Sequence, residues 1–148
     1  MPAKPESRFI ERVHTRLPIA KLFYREKMAN PYRSGTPDVW YSGKNDLWVE
    51  YKYVALPARA GSYIHFDVSP LQKRWIDNRR LEGRDVWLIV GSSVGGLIFR
   101  DDFPDGMVKH LYMQRVQTVI AVAEALLSFC QPKIGGQRWE GKQGVPPT

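Results

Sequence analysis

The spacing of apolar residues divides the chain into a series of short elements. Ile10, Val13 and Leu17 recur at helical intervals, which predicts a first helix over about residues 8 to 17 with Ser7 as its N-cap. Pro18 interrupts that pattern, and Pro31, Gly35 and Pro37 mark a loop region. Two strand-like runs follow at 38–41 and 47–54, and the polar stretch from Ser42 to Asp46 between them suits a hairpin turn. After a loop at 57–61, a third short strand is expected over 63–68. Ser69 and Pro70 open a helix running to roughly residue 82, with Gly83 just past its end. The unbroken apolar run 86–90 suits a central strand, and Gly95-Gly96 turn into its hairpin partner at 97–99.

A long last helix is expected over about residues 107 to 129, where Val108, Tyr112, Val116, Val119, Ala123 and Leu126 line one face that would cover the sheet. Residues 132–148 are rich in Gly, Pro, Lys and Gln and read as a poorly ordered basic tail. The order helix, strands, helix, strands, helix predicts one α/β domain over residues 1–131, a mixed central sheet flanked by helices.

Charge adds a partner class. Lys and Arg exceed Asp and Glu by 22 to 15, a formal net charge of +7 in 148 residues, which favours a polyanion through counterion release. The lone cysteine, Cys130, excludes an internal disulfide framework. The first residues lack the apolar run of a secretion signal, and no apolar stretch approaches the ~20 residues that span a bilayer, so a cytoplasmic protein with no membrane partner is expected.

The chemistry is carried by Pro37-Asp38 and Glu50-Tyr51-Lys52. Side chains alternate along a strand, so Glu50 and Lys52 share a face with Trp48, while Leu47, Val49, Tyr51 and Tyr53 point to the other. A carboxylate on a hydrophobic strand is costly to bury without partners, and a bound metal ion offsets that cost. Asp38, across the hairpin, is placed to join Glu50. Two carboxylates, with the Tyr51 backbone carbonyl as a third ligand, suit Mg²⁺. Such an ion polarises a phosphate and acidifies a bound water, and Lys52 would orient that water or offset charge in the transition state. The alternative from the residues alone is a surface Glu–Lys pair on an edge strand, with Asp38 as a turn residue.

With these residues the sequence resembles the PD-(D/E)xK nuclease superfamily, whose motif stands here as Pro37-Asp38 and Glu50-Tyr51-Lys52. The resemblance implies a restriction-endonuclease-like core and Mg²⁺-dependent hydrolysis of DNA, with Mn²⁺ able to substitute. In the branch holding Holliday-junction resolvases and phage endonuclease I, the first helix supplies a further acidic ligand, a position that looks like Glu11 here. The helix bearing Gln72 is similar to that of VRR-NUC-type nucleases, where Gln72 would bond a phosphate or the attacking water.

The branch implies branched DNA as substrate, a homodimer, and a phage or mobile-element source acting in the host cytoplasm. Arg8 and Arg12 on the first helix, Arg33, Lys44 and Arg59 in loops, and Lys73 and Arg74 beside Gln72 are the expected phosphate contacts. Among the histidines, only His65 lies on a strand expected near the site. Two competing functions share the scaffold: a restriction- or repair-type nuclease acting on duplex DNA, and a non-catalytic DNA-binding protein.

Overall fold

Eleven elements follow one another in the computed structural model, which describes residues 4–28 and 37–132. They are α1 (Pro5–Thr15), β1 (Tyr24–Lys27), β2 (Val39–Ser42), β3 (Leu47–Tyr53), β4 (Tyr63–His65), α2 (Pro70–Leu81), β5 (Val86–Ser92), β6 (Gly95–Phe99), β7 (Gly106–Val108), α3 (Lys109–Arg115) and α4 (Val119–Cys130). The main sheet has the order β1-β2-β3-β5-β6, with β3 and β5 parallel at its centre and the other pairs antiparallel. This is the mixed sheet flanked by helices that the apolar pattern predicts. No helix among the described residues is long and apolar enough to cross a membrane.

Alternation along the strands divides the core in two. Val39, Tyr41, Leu47, Val49, Tyr51, Trp87 and Ile89 pack with Phe9, Ile10 and Val13 of α1 and Val122, Ala123 and Leu126 of α4. Leu88, Val90 and Leu97 pack on the other side with Ile64, Phe66, Met107 and Tyr112. On that second face the Tyr112 hydroxyl donates to the Val90 carbonyl at 2.9 Å, and Trp75 of α2 meets Trp48. Phe9 seats α1. A Cβ on Gly91 would lie 2.6 Å from the Phe9 ring, and one on Gly96 would lie 2.9 Å from it, so two glycines make the hollow that the ring fills.

Four expectations change. The first helix starts at Pro5, with Pro in its first turn and Lys4 at the cap position, so Ser7 lies inside it rather than before it. β1 pairs antiparallel with β2 at the sheet edge, although Tyr24-Arg25-Glu26-Lys27 has one of four side chains apolar enough to mark a strand. β4 ends at His65 and pairs with β7 in a separate two-stranded sheet.

The expected long last helix is divided into β7, α3 and α4. Val116 is extended, Gln117 exchanges backbone hydrogen bonds with Gly96 at 2.9 Å each way, and the Thr118 side chain caps α4 by accepting from Ala121 N–H. The β-branched run Val116, Thr118, Val119 and Ile120 disfavours a continuous helix there, and pairing to β6 satisfies the freed backbone groups. Residues 133–148, read as a tail, and Arg33 lie outside the described residues.

Candidate metal centre

β3 runs further than its hairpin partner. Val39 pairs with Val49, and residues 51–53 of β3 pair with β5 but not with β2. Asp38 fills the gap, its Oδ2 accepting the Tyr51 N–H at 2.8 Å. A residue's own N–H and C=O project to the same edge of a strand, so the Tyr51 carbonyl faces this gap as well. Glu50, on the next position of β3, is only 1% exposed.

Carboxyl oxygens of Glu6, Asp38 and Glu50 all lie within 4.8 Å of one another. Glu6 comes from the first turn of α1, on the Ile10 and Val13 side of that helix, and Phe9 one turn later anchors it against the sheet. Glu11 does not join the cluster. It is exposed, and its backbone carbonyl accepts the Thr15 hydroxyl. Starting the helix before Ser7 brings Glu6 onto the helical face of Ile10 and Val13, and Phe9 docked on the sheet sets that face, not Glu11, beside Asp38 and Glu50. The signal was available in the sequence: Pro5 is a favoured first helical residue, and Glu6, Ile10, Val13 and Leu17 share one helical face.

Two groups hold Glu50. Gln72 Nε2 donates to its Oε1 at 2.7 Å, and Lys52 Nζ lies 3.8 Å from the same oxygen. Gln72 is itself fixed by a capping box, its Oε1 accepting Ser69 N–H at 2.9 Å while its own N–H donates to Ser69 Oγ at 3.1 Å. The amide therefore presents its nitrogen to Glu50 and holds that carboxylate, with one of its two N–H donors committed there.

Glu50 Oε2 is buried and finds no donor. A bond between Glu50 and the Asp38 carboxyl beside it needs a proton on one of them, and the pair favours keeping it on Glu50. Burial first, and then the Asp38 charge, raise the Glu50 pKa well above the usual carboxylate range despite Lys52. Asp38 is raised by burial against the lowering effects of the Tyr51 N–H, Glu50 and Lys52. Glu6 is pushed up to about 7 by burial and by Asp38, with Lys52, Lys4 and Lys27 opposing. Three crowded carboxyls, one with an orphaned buried oxygen, form a hard-oxygen set that a divalent cation fits.

Beneath the cluster, His14 Nε2 is 2.8 Å from the Tyr41 hydroxyl, which is 2.5 Å from the Tyr51 hydroxyl. Burial, reinforced by Arg25 and Lys27, lowers the His14 pKa to about 4, so this chain of rings is neutral and supports β2 against β3.

The expected DNA contacts scatter. Arg12 and Arg16 line a hollow with Val94 and residues 118–120, at the opposite end of α1 from Glu6. Arg8 is exposed on the same helix, Lys44 sits in the β2–β3 turn at the far end of the hairpin from Asp38, and Arg59 is exposed in the loop before β4. Lys73 is paired with Asp105, whereas Arg74 is exposed on α2. His65 is exposed, edge-on to Tyr63, and outside the carboxyl cluster. Lys27, which the sequence places in a loop near the site, is the last residue of β1 and raises the positive potential at both Glu6 and Asp38, and Lys4, before α1, adds to it at Glu6.

No protein-family model matches the chain, and no curated protein sequence does. Among solved structures the chain is similar to Archaeoglobus fulgidus Hjc, a Holliday junction resolvase from an archaeal hyperthermophile. The identity is 14%, over 80% of this chain and 99% of that one, with a TM-score of 0.47.

Proposed function

We propose that the chain is a divalent-metal-dependent nuclease that hydrolyses phosphodiester bonds in DNA. The observation that carries this reading is the buried Glu50, whose Oε2 has no donor and whose neighbours within 4.8 Å include two further carboxyls. A fold stabilised only for its own sake would not keep three carboxyls together at this cost, and sites of chemistry do. A cation held by Glu6, Asp38 and Glu50 would supply Lewis acidity to a phosphate oxygen and to an attacking water.

The remaining roles belong to the chain. Asp38 and Glu50 orient the ligand oxygens, Asp38 through Tyr51 N–H and Glu50 through Gln72. Lys52, with its side chain 18% exposed, offers positive charge where negative charge grows on the phosphoryl oxygens. Water adds to phosphorus, one P–O ester bond breaks, and the departing oxygen takes a proton, leaving a phosphate end and a hydroxyl end.

Mg²⁺ is the proposed ion, with Mn²⁺ substituting. Branched DNA, Holliday junctions first, cut by a homodimer is the proposed substrate and assembly, and both rest on the motif resemblance of Pro37-Asp38 and Glu50-Tyr51-Lys52. The test is cleavage of a synthetic four-way junction and of a linear duplex, with and without Mg²⁺, by the wild type and Asp38→Asn. Mg²⁺-dependent cutting of the junction, lost in the variant, is expected. Equal cutting of both substrates removes the junction preference, and full activity in Asp38→Asn removes the active site.

A further inference from the structure

The face of β3 that carries Glu50 also carries a row of aromatic rings that the proposed hydrolysis does not use. Trp40 and Trp48 are register partners across β2 and β3 and stack with centroids 6.1 Å apart. Tyr24 meets Trp40 at 5.7 Å on one side, and Trp75 of α2 meets Trp48 at 5.3 Å on the other. The Arg79 guanidinium closes the row, 5.4 Å from the Trp75 ring.

None of the four rings belongs to either apolar core cluster. Tyr24 is 50% exposed, and the three tryptophans are only half-buried. Trp48 and Glu50 are two residues apart on one strand, so their side chains leave the same face about 7 Å from each other. The row therefore starts about one nucleotide's length from the carboxyl cluster. Its other flank is α2, where Arg74 is exposed, on a chain of net charge +7. Rings in series beside a basic helix are what unpaired nucleic acid uses, since every base has a face to stack and every phosphate a charge to neutralise.

We infer that Tyr24, Trp40, Trp48 and Trp75 form the binding surface for an unpaired DNA strand, whose bases stack on the rings while the adjoining phosphodiester lies at Glu50. This inference rests on the nuclease reading and adds a substrate feature to it: the DNA must offer unpaired nucleotides next to the cut, as branch points, flaps and gaps do. Stacking is indifferent to base identity, so the surface carries no sequence preference. The Tyr24 hydroxyl donates to Glu26 at 3.3 Å, and that carboxylate sets the outer end of the row.

The experiment titrates a fluorescein-labelled oligo(dT) twelve-mer into the whole chain, with Ca²⁺ in place of Mg²⁺, and reads anisotropy and tryptophan emission. Emission should quench on binding. Trp40→Leu and Trp48→Leu, which keep apolar volume and lose the ring, should each weaken oligo(dT) binding roughly tenfold and leave blunt-duplex binding unchanged. Melting temperatures are read in parallel, and Tyr24→Leu, on the most exposed ring, provides a variant that does not disturb the Trp48–Trp75 contact. Trp87→Phe, on the opposite face, should keep both affinity and quenching.

Unchanged oligo(dT) affinity in Trp40→Leu, Trp48→Leu and Tyr24→Leu, or the absence of quenching in the wild type, overturns the inference. So does a dimer that dissociates in these variants with oligo(dT) binding intact, which would give the row to a second copy of the chain. Mg²⁺-dependent duplex cleavage without oligo(dT) binding overturns the inference and leaves the nuclease standing. Oligo(dT) binding through the rings without any cleavage does the reverse: the strand surface stands and the nuclease reading falls.

Discussion

The side-chain amide of Gln72 donates to Glu50 Oε1 at 2.7 Å, and its own oxygen is already committed to Ser69 N–H at 2.9 Å. The N-terminus of α2 and the centre of β3 are thereby tied through one residue. Removing the amide leaves Glu50 without a directed donor on either oxygen, apart from Lys52 at 3.8 Å. Gln72→Leu should slow single-turnover cleavage about 10- to 100-fold and weaken cation affinity, as expected of a partner that orients a ligand. Gln72→Glu should be worse at high pH, where a fourth carboxylate faces Glu50. Wild-type rates and cation affinity in both variants would show that the amide does not hold the carboxylate in place.

Glu50→Gln should separate stability from function. The substituted amide can still accept from Gln72, and it offers the neighbouring Asp38 a donor that a carboxylate lacks. Without cation at about pH 8, the variant should be more stable than the wild type by about 1–3 kcal/mol in denaturant unfolding, because the wild type must take up a proton at the buried Glu50 to fold and the amide need not. Its cleavage should vanish. A variant that is both less stable and inactive would mean that Glu50 serves the fold.

Glu6 and Glu11 make a paired control on one helix. Glu6→Gln should raise the Mg²⁺ concentration needed for half-maximal cleavage about tenfold or more, and Glu11→Gln should leave it unchanged. The opposite pattern would return the helix ligand to Glu11 and contradict the register of α1 described above.

Gly91→Ala tests how α1 is seated. A Cβ there would stand 2.6 Å from the base of the Phe9 ring, whose tip lies over Gly96, the register partner of Gly91, so the ring cannot yield cheaply. Overpacking of this kind costs about 1–3 kcal/mol. Because Glu6 lies one turn from Phe9, cation affinity should fall together with stability. A stable Gly91→Ala protein with normal cation affinity would show that the hollow is not needed to place Glu6.

The pH dependence follows from the raised carboxyls. Glu6 titrates at about 7 in the folded chain against 4.5 normally, so the folded state holds its proton more tightly than the unfolded one. Its stabilising contribution is whole below about pH 4.5 and is lost as pH rises through about 7. His14 works in the opposite sense: lowered to about 4, it contributes stability above 6.5 that is lost as pH falls. The informative quantity is therefore the difference between wild type and Glu6→Gln. In EDTA the wild type should lose stability relative to the variant as pH rises from about 5 to 8. Added Mg²⁺ should raise the wild-type melting temperature more at about pH 8 than at about pH 5.5, since cation and proton compete for the same oxygens. A Mg²⁺ effect independent of pH would exclude Glu6 from the ion's ligands.

The sequence by itself determined the strands that alternate and the helices with clear ends. Leu47 to Tyr53 alternate for a strand with one face on a core, and Ser69, Pro70 and Gly83 bracket α2 because their backbone preferences act locally. Glu50 and Lys52 could be put on one face from spacing, since positions two apart on a strand point the same way, and the motif resemblance joined Asp38 to them as a candidate site. What lay beyond reach was every contact set by packing between distant segments. Pairing with Gly96 breaks the final helix at Gln117, although the apolar period runs on through it. β1 exists because β2 offers its edge, not because its own residues alternate. Glu6 replaces Glu11 because Phe9 docks against Gly91 and Gly96, and the capping box turns Gln72 toward Glu50. Local sequence sets which conformations are favourable; which carboxylate meets which oxygen depends on how α1 and α2 settle on the two faces of the sheet.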